Sequence, residues 1–483
     1  MAPVPSNVKQ AFDVVAQKGG AYDREDSPTD RYYAFLFDVE NAVNPKSGAK
    51  LWSVQFEMVP FEWMESAVLS QDGVTRSPPP SGPASLLVFD DAAPDDLAKA
   101  LGTPVDEIVS GEWYVITLGK GGLSAQRARP VAVPSVRRTT AKGYKVPRRQ
   151  MLKLNKRFRP VSRFSIRAIV KMLRARIARE VGVMDVGQAS CNLVYDAFGS
   201  PQFYVDVGLP MFFNFASMPP VNGLGNVEIL NPGPCLQNNP IVIVTHFHFD
   251  HYSMAAMSAN WAALVNRNWL VPNQVVGPVA WLVINNVNAS VNGQIHVFPV
   301  ALAGLVGGYV NIIQCAPAMG MAPGNLNNTG LAVVVTINDL LQTNSLLPGD
   351  AAFQAIPGVG GIAGLRWLVA SHHGSDTDLI PAVGPSPIPA PNVANQGRLS
   401  YSYGINGGPP LGVHCYGHPD APAVAAYIGV GWGTAPAFVA STAETGPNTN
   451  VAGRGNIMMC NNVIPPACGV ANCPFHAFPK RLV

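Results

Sequence analysis

Ile241-Val-Ile-Val-Thr-His246-Phe-His248-Phe-Asp250-His251 is the stretch on which the reading of this chain turns. Its first four residues are apolar and β-branched, the composition of a strand buried on both faces. That strand hands over to a tight loop carrying three imidazoles and one carboxylate within residues 246–251. Imidazole and carboxylate together suit zinc, manganese or iron. Residues two apart on a strand end point the same way, so His246 and His248 can grip one ion. Asp250 and His251, past the bend, can reach a second ion beside it. A lone histidine is usually a surface or packed core residue. Three with an aspartate, directly after a buried strand, point to a metal site.

Around this stretch the composition is that of a large globular protein. The chain has 483 residues, 48% hydrophobic and only 13% charged, with 46 Gly and 44 Pro. That length implies two domains or one elaborated domain, and so many turn residues argue against a helical bundle. The N-terminal residues contain no continuous apolar run of the kind a secretory leader needs. The most apolar later run, Val297 to Ile313, is broken by Pro299 and Gly307-Gly308, so it reads as core and no membrane span is expected. Seven widely spread cysteines fit no small disulfide scaffold and suit a reducing cytoplasm.

Charge is segregated along the chain. Residues 137–179 hold 16 Lys/Arg and no Asp or Glu, leaving 17 basic against 30 acidic residues elsewhere, although the net charge is only +3. Four regions follow. Residues 1–136 read as a small α+β accessory domain, with strand-like pieces at Tyr33–Phe37 and Trp113–Thr117, a Pro-rich turn over Ser77–Pro83 and a short helix over Pro94–Leu101. Residues 137–180 read as an extended basic arm up to Pro160 and then an amphipathic helix from about Ser162 to Glu180. In that helix Ile166, Ile169, Val170, Leu173 and Ile177 recur at helical spacing. Residues 181–459 alternate short β-rich runs with Gly-containing turns and carry the chemistry. Residues 460–483 form a Cys-rich tail.

His-x-His-x-Asp-His after an apolar strand resembles the signature of the metallo-β-lactamase superfamily. Five further words stand in the order found in one branch, the soluble hydrolase domain of ComEC-type DNA-uptake (competence) proteins. They are Met184-Asp-Val-Gly-Gln, Tyr204-Val-Asp206-Val-Gly, Leu347-Pro-Gly-Asp350, Ser371-His372-His373-Gly-Ser375 and Tyr416-Gly-His418-Pro. The resemblance covers about Val181 to Cys460. It implies an α/β fold, the αββα sandwich, and two divalent metal ions, zinc or manganese, held by His246, His248, Asp250, His251, Asp350 and one of His372 and His373. Asp350 would bridge the ions. Asp206 would orient the cluster loop from behind, and His418 would donate a proton, contact phosphate or serve a structural role. Adjacent residues on a strand face opposite ways, so only one of His372 and His373 is expected to bind. The chain departs from the branch at Ala189-Ser190 and at Tyr252-Ser-Met. His296, the one candidate for a further ligand histidine between the cluster and Asp350, reads better as a packed or surface residue.

The chemistry expected is hydrolysis. Two cations about 3.5–4 Å apart can share a hydroxide, lower its pKa towards 7 and clamp an anionic substrate. A phosphodiesterase or nuclease is the leading reading, with Asp250, Asp350 and His418 as the catalytic residues. The basic arm would then meet nucleic acid through Arg148, Arg149, Lys153, Lys156, Arg157 and Arg159, and Tyr144, Phe158 and Phe164 would stack on bases. Docking on an acidic partner, or on the acidic remainder of the same chain, is the competing use of that arm. Two other readings stay open: a hydrolase of small esters, lactones or phosphoesters, and a non-catalytic binding module with a structural metal. Cys460, Cys468, Cys473 and His476 offer a structural zinc set, or else free buried thiols.

Overall fold

The computed structural model describes residues 31–43, 48–66, 84–128, 137–162, 165–210, 219–220, 227–230, 233–299, 302–318, 321, 324–337, 342–376, 388–392, 397–404, 418–435, 438–443, 454–459 and 480–482. Strands apolar on both faces in the first of these stretches build an antiparallel barrel. Its strands are β1 (Arg31–Val43), β2 (Lys50–Pro60), β3 (Ser85–Ala92), β4 (Glu112–Ala128) and β5 (Arg137–Lys145). They pair in that order, and the first half of β4 returns to pair with β1, closing the ring. Tyr32, Ala34, Leu36, Val54, Phe56 and Met58 fill the interior, against the helix α1 (Pro94–Leu101). The intervening positions, Tyr33, Phe35 and Val59 among them, are just as apolar and join the core of the following domain instead. A barrel with two apolar faces cannot stand in water alone, which explains why it is docked.

The rest of the described chain is a sandwich of two sheets. The first is made of β6 (Glu180–Val183), β7 (Asn192–Tyr195), β8 (Pro201–Val205), β9 (Ile241–Ile243), β10 (Asn268–Val271) and β11 (Gln294–Val297). The second is made of β12 (Gly304–Gly307), β13 (Val310–Gln314), β14 (Leu331–Thr336), β15 (Asn344–Leu347), β16 (Leu365–Val369), β17 (Arg398–Tyr401) and β18 (Val439–Ser441). The chain then returns to the first sheet with β19 (Ile457–Met459) and β20 (Lys480–Leu482). Val205, Ile241 and Ile243 of the first sheet meet Val333, Leu347 and Trp367 of the second in one buried layer. Helix α4 (Pro278–Ala289) and the barrel cover the outer face of the first sheet, and α5 (Ala421–Gly429) covers the outer face of the second. This is an α/β sandwich.

The basic segment differs from its sequence reading. Residues 137–145 are not an arm but the strand β5, hydrogen-bonded along β4. Gly143 is required there, since a Cβ would come within 2.7 Å of the Val115 carbonyl oxygen. After Pro147 comes helix α2 (Arg148–Arg157). The amphipathic helix that follows is shorter than its pattern implies: α3 spans Ile166–Arg174, with Ile169 and Leu173 buried and Ile177 left half exposed beyond its end. No helix among the described residues is long and apolar enough to cross a membrane.

Candidate metal centre

β9 lies between β8 and β10, parallel to both, and delivers the histidine loop at their carboxyl ends. The hinge of that loop is Thr245. Its backbone N–H donates to Asp206 Oδ1 at 2.7 Å and its hydroxyl donates to Asp206 Oδ2 at 2.9 Å. Asp206 stands just past the end of β8 in the left-handed region, φ 64°, and is wholly buried. Beyond Thr245 the His246 ring lies 4.4 Å from that of His248 and 4.0 Å from that of His251. Gln274 accepts the Phe247 N–H at 3.1 Å and holds the loop from the β10 side. A helical turn, Phe249–Tyr252, then carries Asp250 and His251 inward. Gly208 makes this possible, because a Cβ there would sit 1.5 Å from the Asp250 carbonyl oxygen.

The second sheet supplies the opposite wall. β15 runs into Pro348-Gly349-Asp350, where Gly349 has φ 59° and packs so tightly on Thr245 that no Cβ would fit. Asp350 Oδ2 lies 3.1 Å from His251 Nε2, 3.5 Å from His246 Nε2 and 3.9 Å from His372 Nε2. His372 and His373 do not lie on a strand, as the sequence implied. They follow β16 in a turn, both left-handed, at φ 47° and 56°. Such non-glycine conformations cost on the order of 1–3 kcal/mol each and persist where the surroundings over-determine them. The turn brings both rings to the centre: His373 Nε2 is 3.4 Å from Asp250 Oδ2, and His372 faces Asp350.

Two ligand sets result. Asp250, His251, Asp350 and His373 form one, and His246, His248 and Asp350 form the other, each with its donor atoms within 4.8 Å of one another. Whether these residues fit an ion is tested by their unused atoms. The Nε2 atoms of His246 and His248 are buried and have no hydrogen-bond partner among the described residues. Such orphans are costly unless a cation or a donor meets them.

The electrostatics agree. Burial pushes His246 well below the ordinary histidine range, helped by His251 and His248, and brings His248 down to about 3. Both are thus neutral, the form a ligand needs. Burial would raise Asp350, but His251, His372 and His246 hold it well below the usual carboxylate range. Burial also opposes charge on His372, yet Asp350 and Glu40 bring it up to about 10. A divalent cation among these carboxylates would displace the protons they now share with imidazole. The cluster is a candidate metal centre.

The other expected site residues fall as follows. His418 is buried at the edge of the centre, its ring 6.0 Å from that of His372 and its Nδ1 3.5 Å from Asp420. His296 lies away on β11, against Asn268 Oδ1 at 3.3 Å. Phe158 is buried between Trp113 and Trp281, so the expectation that it stacks on bases is overturned. Phe164, Cys460, Cys468, Cys473 and His476 lie outside the described residues. Arg148, Arg149, Lys153, Lys156 and Arg159 are exposed, and Arg157 is half-buried. Lys156 and Arg159 line a cleft of about 610 Å³ with Asn273 and Phe298. Asn273 precedes Gln274, the residue that holds the histidine loop, so cleft and centre share the same edge of the first sheet.

Three acidic residues from the barrel, without a motif of their own, also reach the centre or its supports. Asp38 Oδ1 lies 3.6 Å from His248 Nδ1, and Glu40 Oε1 lies 3.4 Å from His372 Nε2. Glu57 is wholly buried, accepts from the Tyr252 hydroxyl and takes the Val279 N–H at 2.6 Å at the start of α4. Tyr252, the second of the two positions where the sequence departs from the motifs it resembles, is thus tied to the barrel.

Comparison with protein-family models and with curated proteins finds no match for this chain. Among solved structures, it is similar to zinc-bound PqqB from Methylobacterium extorquens. The two are 10% identical, with a TM-score of 0.29, over 54% of this chain and 97% of that one.

Proposed function

We propose that the chain is a metal-dependent hydrolase of the metallo-β-lactamase superfamily that acts on phosphodiesters, with nucleic acid as the polymer. The observation that carries this reading is the meeting of two ligand sets at one carboxylate, Asp350. His246 and His248 would hold one ion, zinc or manganese, Asp250, His251 and His373 would hold the other, and Asp350 is within reach of both. The ion pair, when bound, supplies Lewis acidity and lowers the pKa of the attacking water. Asp206 keeps the His251 ring turned towards Asp350. His418, at the edge beside His372, is assigned to the leaving oxygen. The branch within the superfamily, that of the ComEC-type hydrolase domain, rests on the order of the sequence motifs. The polymer rests on α2 and its neighbouring cleft: Arg148, Arg149, Lys153 and Lys156 make no ion pair among the described residues, leaving them open to phosphates.

Hydrolysis of bis(p-nitrophenyl) phosphate tests the reading, in protein loaded with zinc or manganese beside a His248→Ala/Asp250→Ala variant. Metal-dependent turnover that the variant lacks supports it. No turnover in protein shown to hold its ions moves the assignment to ester or lactone substrates, or to a centre that binds without cleaving.

A further inference from the structure

Three of the four imidazoles in the two ligand sets are held from behind by an oxygen hydrogen-bonded to Nδ1. Thr245 Oγ1 meets His246 at 3.2 Å, Asp206 meets His251 at 2.8 Å, and the Ser402 carbonyl meets His373 at 2.8 Å. For His248 the facing oxygen is Asp38 Oδ1, at 3.6 Å, and it comes from the N-terminal barrel. We propose that the barrel is an integral part of the metal centre, Asp38 being the positioning residue that fixes His248 for its ion. The inference rests on the metal reading above and adds to it the role of a domain whose purpose the sequence left blank.

The backbone of β1 is shaped for this task. Leu36 stands opposite Phe56 and Asp38 opposite Gln55, so Phe37 is an extra residue, a β-bulge. Bulges re-aim side chains and gather beside active sites. Without it, Asp38 would continue the row of Ala34 and Leu36 into the apolar barrel interior. With it, Asp38 and Glu40 turn towards the histidines, and the Phe37 ring reaches that of His248 at 6.1 Å. Gln55 Nε2 donates to Asp38 Oδ2 at 2.9 Å and so orients the carboxylate with Oδ1 facing the imidazole. Glu57, two residues on, anchors the same face of β2 on α4 and Tyr252. A carboxylate on the far nitrogen of a ligand histidine fixes its ring and raises its basicity. Losing one typically costs about 10–100-fold in affinity or activity.

The test is zinc binding to the full chain, followed by competition with a chromophoric chelator. Wild type is expected to take two equivalents. Asp38→Asn, nearly isosteric, is expected to weaken one of them by about 10–100-fold and leave the other unchanged. Gln55→Ala is expected to weaken the same equivalent by a smaller factor. In cobalt-substituted protein the visible band of only that ion should shift. Two equivalents bound by Asp38→Asn as tightly as by wild type would overturn this inference and leave the hydrolase reading standing. Equal weakening of both would trace the effect to general disorder and overturn it as well. A wild type that binds no metal would overturn both readings together.

Discussion

Asp206 Oδ2 lies 2.8 Å from His251 Nδ1, and the opposite nitrogen of the same ring lies 3.1 Å from Asp350 Oδ2. One imidazole thus links a carboxylate at the end of the first sheet to one at the end of the second. Asp206 also takes both donors of Thr245, so one side chain sets the loop and the ligand. Asp206→Asn is expected to weaken zinc binding by about 10–100-fold while the protein still melts cooperatively. Unchanged affinity in a chelator titration would remove Asp206 from this role.

Asp350 belongs to both ligand sets, so its loss should exceed that of any outer residue. Asp350→Asn is expected to lower phosphodiester turnover by more than about 100-fold, the upper range for outer residues, and to cut the bound metal. Metal analysis alongside kinetics checks it. Full metal content with full turnover would sink the shared-ligand assignment.

Glu57 links pH to stability. Its burial raises the carboxyl from 4.5 to about 7, although Tyr252 and the N–H groups of Val279 and Ala280 oppose the shift. Between those values the folded protein holds a proton that the unfolded chain has released. Glu57 therefore contributes stability that is complete below about pH 4.5 and is lost as pH rises through about 7, on the order of 3 kcal/mol in all. Glu57→Gln, neutral throughout, should gain on wild type between pH 5 and pH 8 in urea unfolding. Parallel curves for the two proteins would contradict this.

Reversing charge on α2 separates the polymer from the bond. Lys153→Glu/Lys156→Glu is expected to raise KM for a single-stranded oligonucleotide and leave bis(p-nitrophenyl) phosphate turnover untouched. Two lost phosphate contacts should lower the slope of log K against log salt by about 1.4. An unaltered slope would take nucleic acid off this helix.

The centre was legible wherever its residues are neighbours in sequence. His246 to His251 follow a buried strand, and the glycine before Asp350 marks a turn only glycine accommodates. His372 and His373 were legible as a pair but not in their geometry, since strand alternation does not describe two successive left-handed residues. Asp38 and Glu40 carried no local signal. They are two acids ending an apolar strand, and only the bulge at Phe37 and the docking of the barrel bring them to histidines more than 200 residues away. The strand β5 was hidden because its lysines and arginines read as charge, whereas its backbone was already claimed by β4.

The distribution of ligands along the chain has a consequence for biogenesis. Asp38 precedes His373 by most of the polypeptide, and Asp206, the histidine loop and Asp350 lie between them. Synthesis therefore completes the barrel first and the centre last. A nascent chain halted before residue 350 carries a histidine loop without the carboxylate that joins its two halves. An ion taken up at this centre would therefore enter late, after the closure of the contacts most distant in sequence.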